Sequence, residues 1–113
     1  MIVIYHNPNC KLTKKCIKIL ETEHKNEFQI KHENLALSEN KLKKILNLLN
    51  FKPVDIIKTS HVLWKTLFKA LNFTDEELIK IIIEYPSLIK SPIVINGNKA
   101  IIGRPPETIL NVI

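Results

Sequence analysis

Glycine is almost missing from this chain: two in 113 residues, Gly97 and Gly103. That excludes the Gly-rich phosphate cradles of nucleotide-binding folds, which need several glycines within one short loop. Cysteine is as scarce, with only Cys10 and Cys16. Two thiols cannot build a disulfide framework, and a reducing, cytoplasmic setting is expected. No apolar run approaches the ~18 residues of a membrane span, and the first residues show neither a basic leader nor a small-residue cleavage site. Neither a membrane nor an export signal is therefore expected. There is no Gly-x-Ser-x-Gly elbow and no carboxylate pair with a clear site. The stretch from Cys10 to Cys16 lacks the arginine that a phosphatase loop would require. His24, His32 and His61 are scattered without ligand spacing, so no metal is expected. Arginine occurs once, as Arg104, among seventeen basic residues.

What is present is enough for one domain over residues 1–113. The apolar fraction is 45%, sufficient for a real core at this length. The net charge of +6 comes largely from lysines such as Lys41, Lys43, Lys44 and Lys80, which sit between apolar positions as solvated helix surface. No basic stripe interleaved with aromatics is seen, so nucleic acid is not an expected partner; the excess charge suits small anions.

The patterning alternates strand and helix. Residues 2–5 read as a buried strand and 11–24 as an amphipathic helix with Cys16, Ile17 and Leu20 inward. Phe28 and Ile30 point to a second strand over 27–32. Ser38 caps a helix bearing Leu42, Ile45, Leu46 and Leu49, and Pro53 starts a short helical piece. Leu63, Trp64, Leu67, Phe68 and Leu71 predict a third helical stretch, with Trp64 a packing residue. Thr74 and Glu77 form a capping box for a helix that stops before Pro86. Asn96-Gly97-Asn98 between two apolar runs predicts a β-hairpin, and a C-terminal helix begins near Pro105 and Pro106. The expected class is α/β: a four-stranded mixed sheet (βαβ, then hairpin and helix) with an inserted helical subdomain at about 36–86. Gly97 serves a tight turn and Gly103 a close approach.

Cys10 carries the chemistry. It follows a strand and precedes a helix, so its thiol meets unpaired backbone N–H groups and the positive end of the helix dipole, which favour the thiolate nucleophile. Lys11, Lys14 and Lys15 crowd the same helix start, a poor arrangement unless an anion belongs there. Cys16 lies ~9 Å further along the helix, ~240° round it, and reads as core.

Three segments then point to a family. Ile4-Tyr5-His6-Asn7-Pro8-Asn9-Cys10, Ser87-Leu88-Ile89-Lys90-Ser91-Pro92-Ile93-Val94-Ile95 and Ile102-Gly103-Arg104-Pro105-Pro106-Glu107 together resemble the glutaredoxin-dependent arsenate reductases, over essentially the whole chain. The resemblance implies a thioredoxin-like fold with no bound cofactor, in which Cys10 attacks arsenate and glutathione with glutaredoxin completes the reduction to arsenite. It implies an oxyanion site of three arginines, matched here by Arg104, by Lys58 and, without the charge, by Ser91. Thr13 and Lys14 stand where that family favours Ser and Arg. It also implies a cis Ser91–Pro92 bond, with His6, Ser91 and Pro92 as support. Two alternatives stay open: a relative that no longer uses arsenate, and a regulator similar to Spx that binds RNA polymerase, for which Thr13 replaces the second cysteine of a redox pair.

Overall fold

Residues 2–6, 11–23 and 30–113 are described in the computed structural model. The chain divides into two units, Met1–Leu35 with Ser91–Ile113, and Ala36–Lys90.

The first unit is built on β1 (Ile2–His6), an apolar run with Ile2, Ile4 and Tyr5 buried. Such a run suits a strand covered on both faces. Helix α1 (Lys11–Glu23) turns Thr13, Cys16 and Leu20 inward, a spacing that keeps them on one face. It leads into β2 (Ile30–Asn34), parallel to β1 with Ile2 opposite Ile30 and His6 opposite Asn34. The expected second strand over 27–32 is met by β2 at residues 30–32 and runs on to Asn34, opposite His6 at the end of β1; residues 27–29 lie outside the described residues. β3 (Ile93–Asn96) and β4 (Lys99–Ile102) complete a mixed sheet in the order β2-β1-β3-β4. Gly97 has φ +64°, the left-handed conformation that a tight hairpin demands and glycine adopts freely.

The C-terminal helix is a 3₁₀ helix over Pro106–Asn111. Pro105 and Pro106 have no N–H to give, and Thr108 closes the turn twice on the Pro105 carbonyl, through its N–H at 3.0 Å and its hydroxyl at 2.7 Å. Asn96 Nδ2 donates to the Val112 carbonyl at 2.8 Å, tying the hairpin to the chain end. Ile2, Ile4, Cys16, Leu20, Val94, Ile109 and Val112 form one core. Gly103 is wedged into its edge: a Cβ there would lie 2.6 Å from Cys16 Sγ, 3.2 Å from Pro92 Cγ and 3.3 Å from Ile109 Cγ2.

The second unit is helical. Ser38 Oγ accepts from the Lys41 N–H at 3.2 Å and starts α2 (Glu39–Leu49), which ends on Asn50 at φ 57°. A 3₁₀ turn over Pro53–Ile56 follows, and the anticipated third helical stretch is a π-helical turn, Trp64–Phe68. Its Lys69 N–H reaches back to the Trp64 carbonyl at 2.9 Å, a wider turn that holds the Trp64 and Phe68 rings 5.7 Å apart. Phe73 and Tyr85 extend this cluster, so Trp64 does pack within the helical segment. Helix α3 (Asp75–Glu84) carries the expected box: Glu77 N–H donates to Thr74 Oγ1 at 3.2 Å, and Thr74 N–H donates to Glu77 Oε1 at 3.0 Å. An isolated bridge pairs Ile57 with Ile89, both buried.

Gly103→Ala should lower the unfolding free energy by about 1–3 kcal/mol, the scale of an overpacked core. Combining it with Cys16→Ala, which empties the space the new methyl needs, should cost less than the sum of the two single changes in denaturant unfolding. The Thr74 N–H and hydroxyl hold the Glu77 carboxyl below its ordinary value. Its contribution is therefore full above the ordinary glutamate range and is lost as pH falls through the lowered folded value. Melting temperatures taken from neutrality down to about pH 3 should fall less steeply for Glu77→Gln than for the unsubstituted chain.

Candidate active site

The site forms where β3 begins and β4 ends. The Gly103 N–H donates to the Pro92 carbonyl at 2.8 Å, carrying the β3–β4 ladder one step past both strands. The Ser91–Pro92 bond is cis, as the family resemblance implies, and Arg104–Pro105 is cis as well, which the sequence reading did not anticipate. Ser91 and Arg104 meet here: Arg104 Nε donates to the Ser91 carbonyl at 2.6 Å. One of the five guanidinium donors is thereby spent on orientation, and the terminal nitrogens keep the planar fork that suits an oxyanion. Arg104 is exposed, so the fork is accessible.

Helix α1 supplies the opposite wall of this corner. Cys16 is fully buried and its thiol points to the Gly103 carbonyl, 3.8 Å away, which places it in the core as expected. Thr13, one turn nearer the helix start, is buried on the same face. Lys14 is exposed, as are Lys11 and Lys15. The first turn of α1 has no acidic residue and the last turn no basic one, while Glu21 and Glu23 occupy its end. Both ends oppose the helix dipole, each at roughly 0.3–1 kcal/mol per charge at low salt. An anion at the N-terminus relieves half of that conflict.

His6, half-buried, ends β1; continuing the β1–β3 register by one residue sets it beside Pro92. Lys58 belongs to the second unit, half-buried, with its N–H donating to the Leu88 carbonyl at 2.7 Å next to the Ile57–Ile89 bridge. Cys10, with Asn7, Pro8 and Asn9, lies outside the described residues. The structure thus gathers Thr13, Ser91, Pro92 and Arg104 in one unit. The Ser91 carbonyl as the anchor of Arg104 was not found from the sequence; the only pointer to it was the rarity of glycine, which marked Gly103. Among the described residues, no three His, Cys, Asp or Glu side chains group as metal ligands, and no helix is long and apolar enough to cross a membrane.

Comparison with known proteins gives one consistent picture. Residues 5–112 match the family described as the ArsC family. An arsenate reductase of Haemophilus influenzae is 37% identical over 114 residues, covering 99% of this chain and 98% of its own. The global transcriptional regulator Spx of Streptococcus pneumoniae is 32% identical over 106 residues, covering 91% of this chain and 78% of its own. The solved arsenate reductase from Vibrio cholerae superposes with a TM-score of 0.89 at 28% identity, over 99% of this chain and 97% of that one. That solved arsenate reductase shares the α/β architecture found here, a thioredoxin-like fold.

Arg104→Lys keeps the charge but offers one ammonium for both the Ser91 carbonyl and a ligand. Affinity for a simple oxyanion such as sulfate, read from the anion-dependent rise in melting temperature, should fall about tenfold. An undiminished response would remove Arg104 from the site.

Proposed function

The chain belongs to the ArsC family, and from that premise we propose that it is a thiol-dependent arsenate reductase using glutathione and glutaredoxin. Cys10 is the nucleophile. Its thiolate bonds to the arsenic of arsenate while one oxygen leaves as water. A glutathione thiolate then attacks the Cys10 sulfur. The sulfur–arsenic bond breaks with its electron pair on arsenic, which leaves as arsenite, and Cys10 and glutathione are joined as a mixed disulfide. Glutaredoxin reduces that disulfide with a further thiol and returns Cys10 to the thiolate. Two electrons pass from two sulfurs to arsenic, so no metal or organic cofactor is required.

The residues have separate tasks in this reading. Helix α1, which begins one residue after Cys10, favours the thiolate through its N-terminal N–H groups. Arg104 grips the oxyanion and stabilises charge built up at the attacked centre. By the resemblance, Lys58 and Lys14 add point charges and Thr13 adds a hydroxyl. His6 and Pro92 shape the floor of the site. The observation that carries the proposal is the anchored guanidinium: the chain's sole arginine is pinned by Nε to Ser91 and leaves its fork open.

A second reading is favoured by the 32% identity with a transcriptional regulator. In it the fold is kept as a surface for RNA polymerase and the thiol chemistry is secondary. Thr13, in place of a second cysteine three residues after Cys10, removes the thiol that would close an internal redox switch. The enzyme reading therefore stands first.

Arsenite formation by the purified full chain, supplied with arsenate, glutathione and glutaredoxin, tests the proposal. Turnover that drops to background in Cys10→Ser is expected. Equal turnover in that variant would overturn the role of Cys10. No arsenite from the unsubstituted chain, together with capture of RNA polymerase, would transfer the case to the second reading.

A further inference from the structure

One threonine hydroxyl reaches across the segment that carries Arg104. Thr108 Oγ1 lies 2.7 Å from the Pro105 carbonyl and 3.0 Å from the Ile102 carbonyl at the end of β4, so its single proton serves both. The first contact is ordinary: a helical threonine commonly bonds a carbonyl three or four residues back, as Thr22 does with the Lys18 carbonyl at 2.8 Å. The second is not ordinary. It spans six residues and leaves the helix for the strand, so starting the helix does not account for it.

The segment between those carbonyls is poor in donors. Pro105 and Pro106 have no N–H. Gly103 gives its N–H to the Pro92 carbonyl, and Arg104 gives its own to the Ile102 carbonyl at 2.9 Å. Past Arg104, the Pro105 carbonyl is held by Thr108 alone among the described residues, through its N–H at 3.0 Å and its hydroxyl. Thr108 is itself well based, since the next residue, Ile109, is wholly buried in the core. The carbonyl before the Gly103–Arg104 pair and the carbonyl after it are thus tied to one fixed side chain.

We infer that Thr108 is a positioning residue for Arg104: its hydroxyl clamps the backbone on both sides of the guanidinium's origin, so that Nε meets the Ser91 carbonyl and the fork keeps one direction. This role rests on Arg104 being the oxyanion grip, as proposed above, and names what aims it. A long side chain is placed no better than the backbone it leaves, and a binding group held beforehand need not be ordered when the ligand arrives. The Thr108 hydroxyl is spent on carbonyls and acts through Arg104.

Thr108→Val keeps the branched shape and deletes the hydroxyl; Thr108→Ser keeps the hydroxyl. Because arginine occurs once, the Arg104 Nε–H gives a single guanidinium resonance in nitrogen-edited NMR of the full chain, and its exchange with water reports how firmly the bond to Ser91 is held. Exchange should be roughly fivefold faster in Thr108→Val, the scale of one neutral hydrogen bond, and should return to the unsubstituted rate in Thr108→Ser. Affinity for inorganic phosphate, measured by calorimetry, should fall about fivefold in Thr108→Val and recover in Thr108→Ser. A lower melting temperature in Thr108→Val with unchanged Nε–H exchange would reduce Thr108 to a helix-stabilising residue and overturn the inference. So would a Thr108→Ser chain that exchanges as fast as Thr108→Val. If exchange responds as expected but the unsubstituted chain binds no phosphate and forms no arsenite, the oxyanion reading fails alone and the placement of Arg104 by Thr108 stands.

Discussion

The close approach at Gly103 is the contact on which the first unit turns. Three parts of the chain meet there: the Cys16 thiol from α1, the Pro92 ring before β3, and Ile109 from the C-terminal 3₁₀ helix. A hydrogen is all that fits between them. Because Gly103 can sit so deep, its N–H pairs with the Pro92 carbonyl and the following residue, Arg104, is carried back over Ser91. Core packing and site geometry are therefore one constraint. Close-packed interiors transmit small displacements, so a change of one methyl at this corner moves the guanidinium as well as the core.

Electrostatics at the site follow a logic of unmet demand. Helix α1 is charged against its own dipole at both ends, and its inward face carries a buried hydroxyl with no partner among the described residues. Arg104 spends one donor on the backbone and keeps its fork. Each feature alone is a small cost to the folded chain, well within what marginal stability tolerates. In the proposed anion site they act together, since donors fixed before binding need not reorganise when the anion arrives.

The second unit is stabilised by local means. Ser38 and Thr74 start their helices with side-chain caps, the Ile57–Ile89 bridge closes the unit on itself, and four aromatic rings fill the space around the π-helical turn. The Lys43 ammonium, held by Glu39 at 3.1 Å and by Glu76 at 3.7 Å, links α2 to α3 but is exposed and adds little. Lys58 gains its fixed place from the same bridge, through the bond of its N–H to the Leu88 carbonyl. The residue that the resemblance puts in the anion site thus has its backbone tied directly after the bridge.

Much of this was legible from residue order alone. The caps at Ser38 and Thr74, the Asn-Gly hairpin with its glycine at 97 and the inward face of α1 all depend on neighbours within a turn or two, and local chemistry is written locally. The motifs around Cys10, Pro92 and Arg104 likewise announced the family. Tertiary structure decided the rest. The extension of β2 to Asn34 came from its pairing with β1, where His6 stands opposite. The last helix tightened to 3₁₀ where prolines and the Thr108 hydroxyl closed its turns, and the third helical stretch widened around two rings. The meeting of Cys16 with Gly103, 87 residues apart, and the burial of Ser91 above Arg104 have no local signature. Side-chain periodicity tells which residues turn inward; only the packed fold determines which of them then touch, because that contact is chosen by distance in space rather than along the chain.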